Sequence, residues 1–407
     1  MPILTRLYLP EDFAAQSIFL QFAMFFAGVM TWRYEYFVQL PKEHAEAQAL
    51  IHLTVTLALA GAVLLTPCVW LVAQRVESFS ANRALSNWLW LAPSTAALIS
   101  VSLAYQHRVQ RFGLFKLSGL GEVAAKLGNV GSGVAAALLG VGGLGLLLTT
   151  AAGTASKFFF HLTFSKATIK RDTEHLDIGK QKYSILGASR SYRKLATSML
   201  LSHLMGTVTA LSPILYIGYA YGSSVLGQYS LVTMTIFSPA SLIGNAIGQV
   251  FYQRAAQSWV QGQIFAPLWR QTFLRLALIG GPLHALVALA SPWLYPALFG
   301  ANWADAGQYG VLISAAAFCA FVCTPMERTC LIVGRWRYHA LWHAARALTT
   351  LLVIVTAQVF QLGFNGFLLA LVSQMCSLYA VDIIMERRFS MMHPPVQSGA
   401  ILPASTS

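Results

Sequence analysis

Charge is what this chain has least of. Only 10% of its 407 residues are charged, whereas soluble domains carry about a quarter, and that excludes an ordinary globular protein. Acids are scarcer still, with 14 Asp and Glu against 27 Lys and Arg, a formal net charge of +13. The five cysteines (Cys68, Cys319, Cys323, Cys330 and Cys376) all fall inside apolar runs, which argues against a disulfide framework and for packing. There is no Gly-x-x-x-x-Gly-Lys-Ser/Thr loop to cradle phosphates, no His-Glu-x-x-His and no Gly-x-Ser-x-Gly. ATP hydrolysis, zinc proteolysis and serine-hydrolase chemistry therefore have no signature here. Met1–Pro10 lacks a basic segment leading into an apolar core, so no cleavable signal peptide is expected.

What the chain has in abundance is apolar length. Hydrophobic residues make up 56%, mean hydropathy is +0.60, and a spanning helix needs roughly twenty mostly apolar residues. The runs predict spans at Phe13–Thr31, Ala49–Ala73, Trp88–Tyr105, Leu117–Leu139 and Gly142–Phe164. Six more follow at Leu195–Tyr219, Tyr229–Phe251, Phe273–Leu298, Gly307–Val333, Ala340–Val359 and Phe364–Ile384. The expected architecture is an all-α integral membrane protein of about eleven helices: a lobe over 1–164, a polar linker over 165–194, a second lobe over 195–390, and a disordered tail over 391–407.

The cations sit between the runs rather than in one patch, which speaks against nucleic acid and for a topology signal. With the first loop placed in the cytoplasm, the inner segments hold Arg33, Lys42, Arg108, Arg111, Lys116, the linker cations, Arg254, Arg270, Arg275, Arg335, Arg337, Arg387 and Arg388. The outer segments hold only Arg6, Arg75 and Arg83. This asymmetry predicts a cytoplasmic linker and a cytoplasmic C-terminus.

The two halves echo each other. Tyr8 to Ser17 resembles Tyr221 to Ser230, Phe79-Ser-Ala-Asn82 resembles Phe299-Gly-Ala-Asn302, and Arg111-Phe112 resembles Arg337-Tyr338. Three matches in order indicate a parallel repeat. The alignment sets Met1 against Ile214, so the first lobe is expected to lack its opening helix (five spans against six) and the sequence to be truncated at its start.

The stretch Tyr8-Leu-Pro-Glu-Asp-Phe13, Arg33-Tyr34-Glu35 and Leu40-Pro41-Lys42 with Glu46-Ala47 resembles the bacterial oligosaccharide flippases of the polysaccharide biosynthesis family. So do Leu226-Gly227-Gln228-Tyr229-Ser230 and the outer-loop pattern Leu298-Phe299-Gly300 to Trp303, Gly307 and Tyr309. That family shares a superfamily with multidrug antiporters. The resemblance implies two lobes around a central cavity that opens alternately to either side, and no cofactor. It implies transport of an undecaprenyl-pyrophosphate-linked oligosaccharide across a bacterial inner membrane for surface polysaccharide (lipopolysaccharide-type) biosynthesis. The implied partners are that lipid-linked oligosaccharide, membrane lipids and a polysaccharide polymerase.

The residues expected to bind the cargo are the cations inside spans, Lys126, Lys157, Arg328 and Arg346. An unpaired charge near mid-membrane costs roughly 2.5–3.5 kcal/mol, so each needs water, a partner or a ligand, and arginine suits phosphate through its planar fork. His339, His343 and Arg346 share one helical face and extend the set. Against this stands ordinary structure: Glu122 and Lys126, spaced i, i+4, can neutralise each other, and Arg328 can snorkel toward headgroups. His339 and His343 have metal-pair spacing, but no third ligand is evident, so no metal is expected. His203 and His284 read as satisfied core groups, and Arg33 and Glu35 as a helix-end interface. Gly280-Gly281-Pro282 and Pro239 are hinges or fixed kinks, and Gly140 to Gly143 forms a tight turn. The rival readings are a multidrug or cation antiporter, which needs acids in its cavity, and a membrane enzyme (polymerase, ligase or acyltransferase) on lipid-linked sugars, which needs a large outer loop.

Overall fold

A computed structural model describes residues 1–41, 43–80, 83–173 and 184–394. Every regular element among them is helical. The short α1 (Pro2–Leu7) leads into α2 (Pro10–Thr31), α3 (His44–Ser80), a short α4 (Arg83–Trp88), α5 (Ala92–Arg111), α6 (Phe115–Leu138), α7 (Gly143–Thr173) and α8 (Ile185–Ala220). Then come α9 (Ser223–Val260), α10 (Ala266–Phe299), α11 (Ala304–Cys323), the one-turn α12 (Thr329–Ile332), α13 (Trp336–Val359) and α14 (Phe364–Ser390). The eleven long helices correspond one to one with the expected spans, and eight of them are long and apolar enough to cross a membrane. The 36 residues of α8 span about 54 Å at 1.5 Å per residue, well beyond a hydrocarbon core of about 30 Å.

Contacts divide the chain into two compact units, Met1–Leu231 with Tyr295–Ala304, and Val232–Leu294 with Asp305–Ser407. The division at Leu231 gives α8 and the start of α9 to the first unit, whereas the sequence suggests a boundary in the linker. Of that linker, 165–173 prolong α7 and 185–194 open α8; residues 174–183, like 395–407 of the tail, lie outside the described residues.

In the first unit, α2 starts where Pro10 occupies the first turn and the Leu9 amide donates to Asp12 Oδ2 at 3.0 Å; acids in that turn suit the positive helix end. Several residues of the resemblance-bearing motifs serve packing; Lys42 of those motifs lies outside the described residues. Gly227 lies where a Cβ would collide with the Pro10 carbonyl, so only glycine lets α9 cross the start of α2. Trp303, 1% exposed, donates its indole N–H to the Thr5 carbonyl at 3.0 Å and sets its ring edge-on to Phe13. Between α6 and α7 small residues allow close approach: Gly128 faces Ser156, and Gly153 faces the Ala125 carbonyl.

In the second unit a core of Phe251, Phe265, Trp269, Leu276, Phe321 and Met326 gathers α9, α10 and α11. Gly307 closes directly on the Ser291 carbonyl, and Ser291 Oγ donates to the Gly307 carbonyl at 2.9 Å. Both Pro239 and Pro282 sit in unbroken helices. His284 bonds the Gly280 carbonyl at 2.8 Å between Phe318 and Phe321, a satisfied core group as expected. Gly140 and Gly142 take φ of 68° and 66°, making the expected tight turn.

Candidate functional site

The six expected ligands separate into three situations. Lys126 projects exposed from α6. Its presumed partner, Glu122, goes elsewhere: Lys157 Nζ on α7 donates to Glu122 Oε1 at 2.6 Å, and Gln106 Nε2 donates to the same oxygen at 3.0 Å. Lys157 is thus neutralised across two helices, with its side chain 15% exposed. Arg328 is not inside a span at all. The helix α11 stops at Cys323, the chain turns through Thr324–Glu327, and Arg328 stands exposed at the N-terminal cap of α12. Pro325 follows the last helical turn and cannot continue its hydrogen-bond ladder, which is why the apolar run Gly307–Val333 is not one helix.

Arg346 stays within a long helix. It lies half-buried ten residues beyond Trp336, about 15 Å along α13, with its guanidinium 5.6 Å from the centre of the Tyr379 ring on α14. No carboxylate pairs with it among the described residues. His339 and His343 are half-buried on the same face, ring centres 4.6 Å apart. The stripe continues to Thr349, whose hydroxyl accepts from Gln374 Nε2 at 2.7 Å.

The sequence missed a third group on this face. The turn before α12 folds Glu327 back so that its Oε1 accepts the Trp342 indole N–H at 3.2 Å and lies 3.8 Å from His343 Nε2. Glu327, His339 and His343 present three ligand atoms within 4.8 Å of one another, the donor set of a divalent transition ion. Only tertiary folding brings a residue twelve positions upstream onto the pair, although Pro325 was a local sign of the turn.

Beside this face lie two buried carboxylates. Asp382, 1% exposed, accepts the Tyr338 hydroxyl at 2.8 Å, and fully buried Glu386 accepts the Cys330 amide at 2.9 Å. Glu386 Oε1 has no donor among the described residues.

The helix-end cluster of the first unit is a network. Thr31 donates to Glu35 Oε2 at 2.7 Å, Arg33 reaches Glu35 Oε1 at 3.4 Å, and Arg33 Nη2 lies 2.6 Å from His203 Nδ1. Burial pushes the Glu35 carboxyl up, against the lowering effect of Thr31 and Arg33. His203 Nε2 is buried without a partner among the described residues, so His203, expected as a satisfied core group, is satisfied at one ring nitrogen only.

The fold resembles that of a solved multidrug resistance MATE family transporter of the MOP superfamily, in an inward-facing conformation. The TM-score is 0.69 at 15% identity, over 96% of this chain and 95% of the other. Among curated proteins no sequence matches. A family model described as polysaccharide biosynthesis protein matches residues 3–308. A multi-pass membrane protein whose fold resembles that of the solved transporter, the chain belongs to that polysaccharide biosynthesis family.

Proposed function

We propose that this protein translocates an undecaprenyl-pyrophosphate-linked oligosaccharide across a bacterial inner membrane by alternating access. Membership of a polysaccharide biosynthesis family on a transporter fold is the observation that carries the reading. The residues refine it. Arg346, unpaired and held on the same helical face as His339 and His343, offers a planar donor fork to phosphate oxygens. Lys126 and Arg328 supply exposed positive charge, and Lys157 contributes through an ion pair that a competing phosphate would have to open. We place the C-terminus in the cytoplasm, following the distribution of Lys and Arg, and read the chain as a transporter rather than an enzyme.

The test replaces Arg346 by Gln, Glu and Lys and measures surface polysaccharide together with the amount of protein in the membrane. Loss of polysaccharide at normal protein level is expected, deeper for Arg346→Glu than for Arg346→Gln, with partial activity in Arg346→Lys. Loss of one charge-assisted contact corresponds to about 1.5–3 kcal/mol, or roughly ten- to hundredfold in cargo affinity. Full polysaccharide in the Glu variant would refute the assignment. A second reading, cation-coupled antiport, draws support from the buried Asp382 and Glu386. Export of cationic dyes abolished by Asp382→Asn, with lipid-linked oligosaccharide left untransported by the wild type, would favour it instead.

A further inference from the structure

We propose that a pocket between the start of α10 and the end of α14 binds the phosphate headgroup of an anionic phospholipid. The pocket, about 720 Å³, is walled by Arg270, Arg387 and Arg388, floored by Trp269 and Phe273, and bordered by the exposed apolar side chains of Leu274, Ile384 and Met391. Its volume falls in the range of small-ligand sites, about 300–1,000 Å³.

Arginines at helix ends are ordinary. Arg387 and Arg388 sit in the last turn of α14, where positive charge complements the helix dipole and marks the inner membrane face. That explanation leaves Trp269 untouched. Its side chain is 3% exposed, its ring stacks on Phe273 at 5.3 Å, and its Nε1–H meets no acceptor among the described residues. Indole nitrogen only donates, and a buried donor left unpaired costs free energy. An acceptor on a group in the pocket would serve that donor, and three exposed guanidiniums without carboxylate partners among the described residues favour an anion. A phosphate oxygen meets both demands.

Depth selects the source of the phosphate. Arg270 lies four residues after Ala266, about 6 Å along α10, and Arg387 three residues before the end of α14. The cations thus stand at headgroup level, with the apolar rim of Leu274 and Ile384 leading along the helices as acyl chains would. A soluble phosphate would have no use for that rim.

Native mass spectrometry of the full chain in detergent, titrated with phosphatidylglycerol, phosphatidylcholine or inorganic phosphate, tests the assignment. Phosphatidylglycerol is expected to bind at least about tenfold tighter than phosphatidylcholine. Arg387→Gln and Arg388→Gln should each weaken it roughly fivefold, and Trp269→Phe, which keeps the ring and removes the donor, should do the same. Equal binding of the two lipids, or unchanged phosphatidylglycerol binding in the Arg387→Gln/Arg388→Gln double variant, would overturn the proposal. Displacement of phosphatidylglycerol by equimolar inorganic phosphate would assign the pocket to a soluble anion and overturn the lipid. Should Trp269→Phe elute as an aggregate, the exposed arginine variants carry the decision alone.

Discussion

Glu122 has two lysines to choose from, and it takes the one thirty-five residues away. Lys126 is its neighbour one helical turn on, yet the 2.6 Å contact is with Lys157 of the adjoining helix. Sequence distance favours the first; the close approach of α6 and α7, set by Gly128 and Gly153, favours the second. An ion pair spanning two helices is a coupled unit, and removing one member leaves a charge where hydration is poor. Glu122→Gln alone should therefore lower the thermal unfolding midpoint in detergent more than the Glu122→Gln/Lys157→Gln double variant does. The expected coupling in the double-mutant cycle is about 1 kcal/mol, modest because Glu122 is 47% exposed. A cycle that sums to zero would mean that the contact contributes nothing, and Lys157 would return to the set of free cations.

At the level of elements, the long helices were legible because apolar length is written locally, residue after residue. What was not legible is where an apolar run hides a break. Cys319–Val333 stays apolar across the turn, so Arg328 reads as intramembrane until Pro325 is given its due. The same turn brings Glu327 to the His339–His343 pair, a contact that no periodicity encodes. Conversely, the glycine-bearing motifs could be recognised but not explained without the helices they separate. That explanation makes a prediction. Gly227→Ala should destabilise by about 1–3 kcal/mol, as overpacking against a backbone carbonyl does. Gly119→Ala, in helical backbone with nothing within 4 Å of the added carbon, should stabilise by about 0.5–1 kcal/mol through helix propensity. Thermal unfolding of the two proteins side by side decides it; equal midpoints would show that α9 yields at Gly227.

For the molecule as a whole, the asymmetry of Lys and Arg leads to an accessibility experiment. In a background freed of its five native cysteines, Ser191→Cys, exposed on α8, should resist an impermeant thiol reagent added to intact cells. Ala301→Cys, exposed next to Gly300, should react. The reverse pattern would turn the molecule over in the membrane. Ser191 is worth choosing for a second reason. It rides on an unbroken helix about 54 Å long of which only about 30 Å fits the hydrocarbon, with Pro213 inside it. The excess is not free: Ala188 and Ala196 are fully buried against Tyr34, Phe37 and Leu50, and the Tyr34 hydroxyl donates to the Ser189 carbonyl at 3.0 Å. A tilt of α8 about Pro213 therefore has to carry the turn at Tyr34–Phe37 with it, which makes Ser191 a gauge of how far that turn travels in any working stroke.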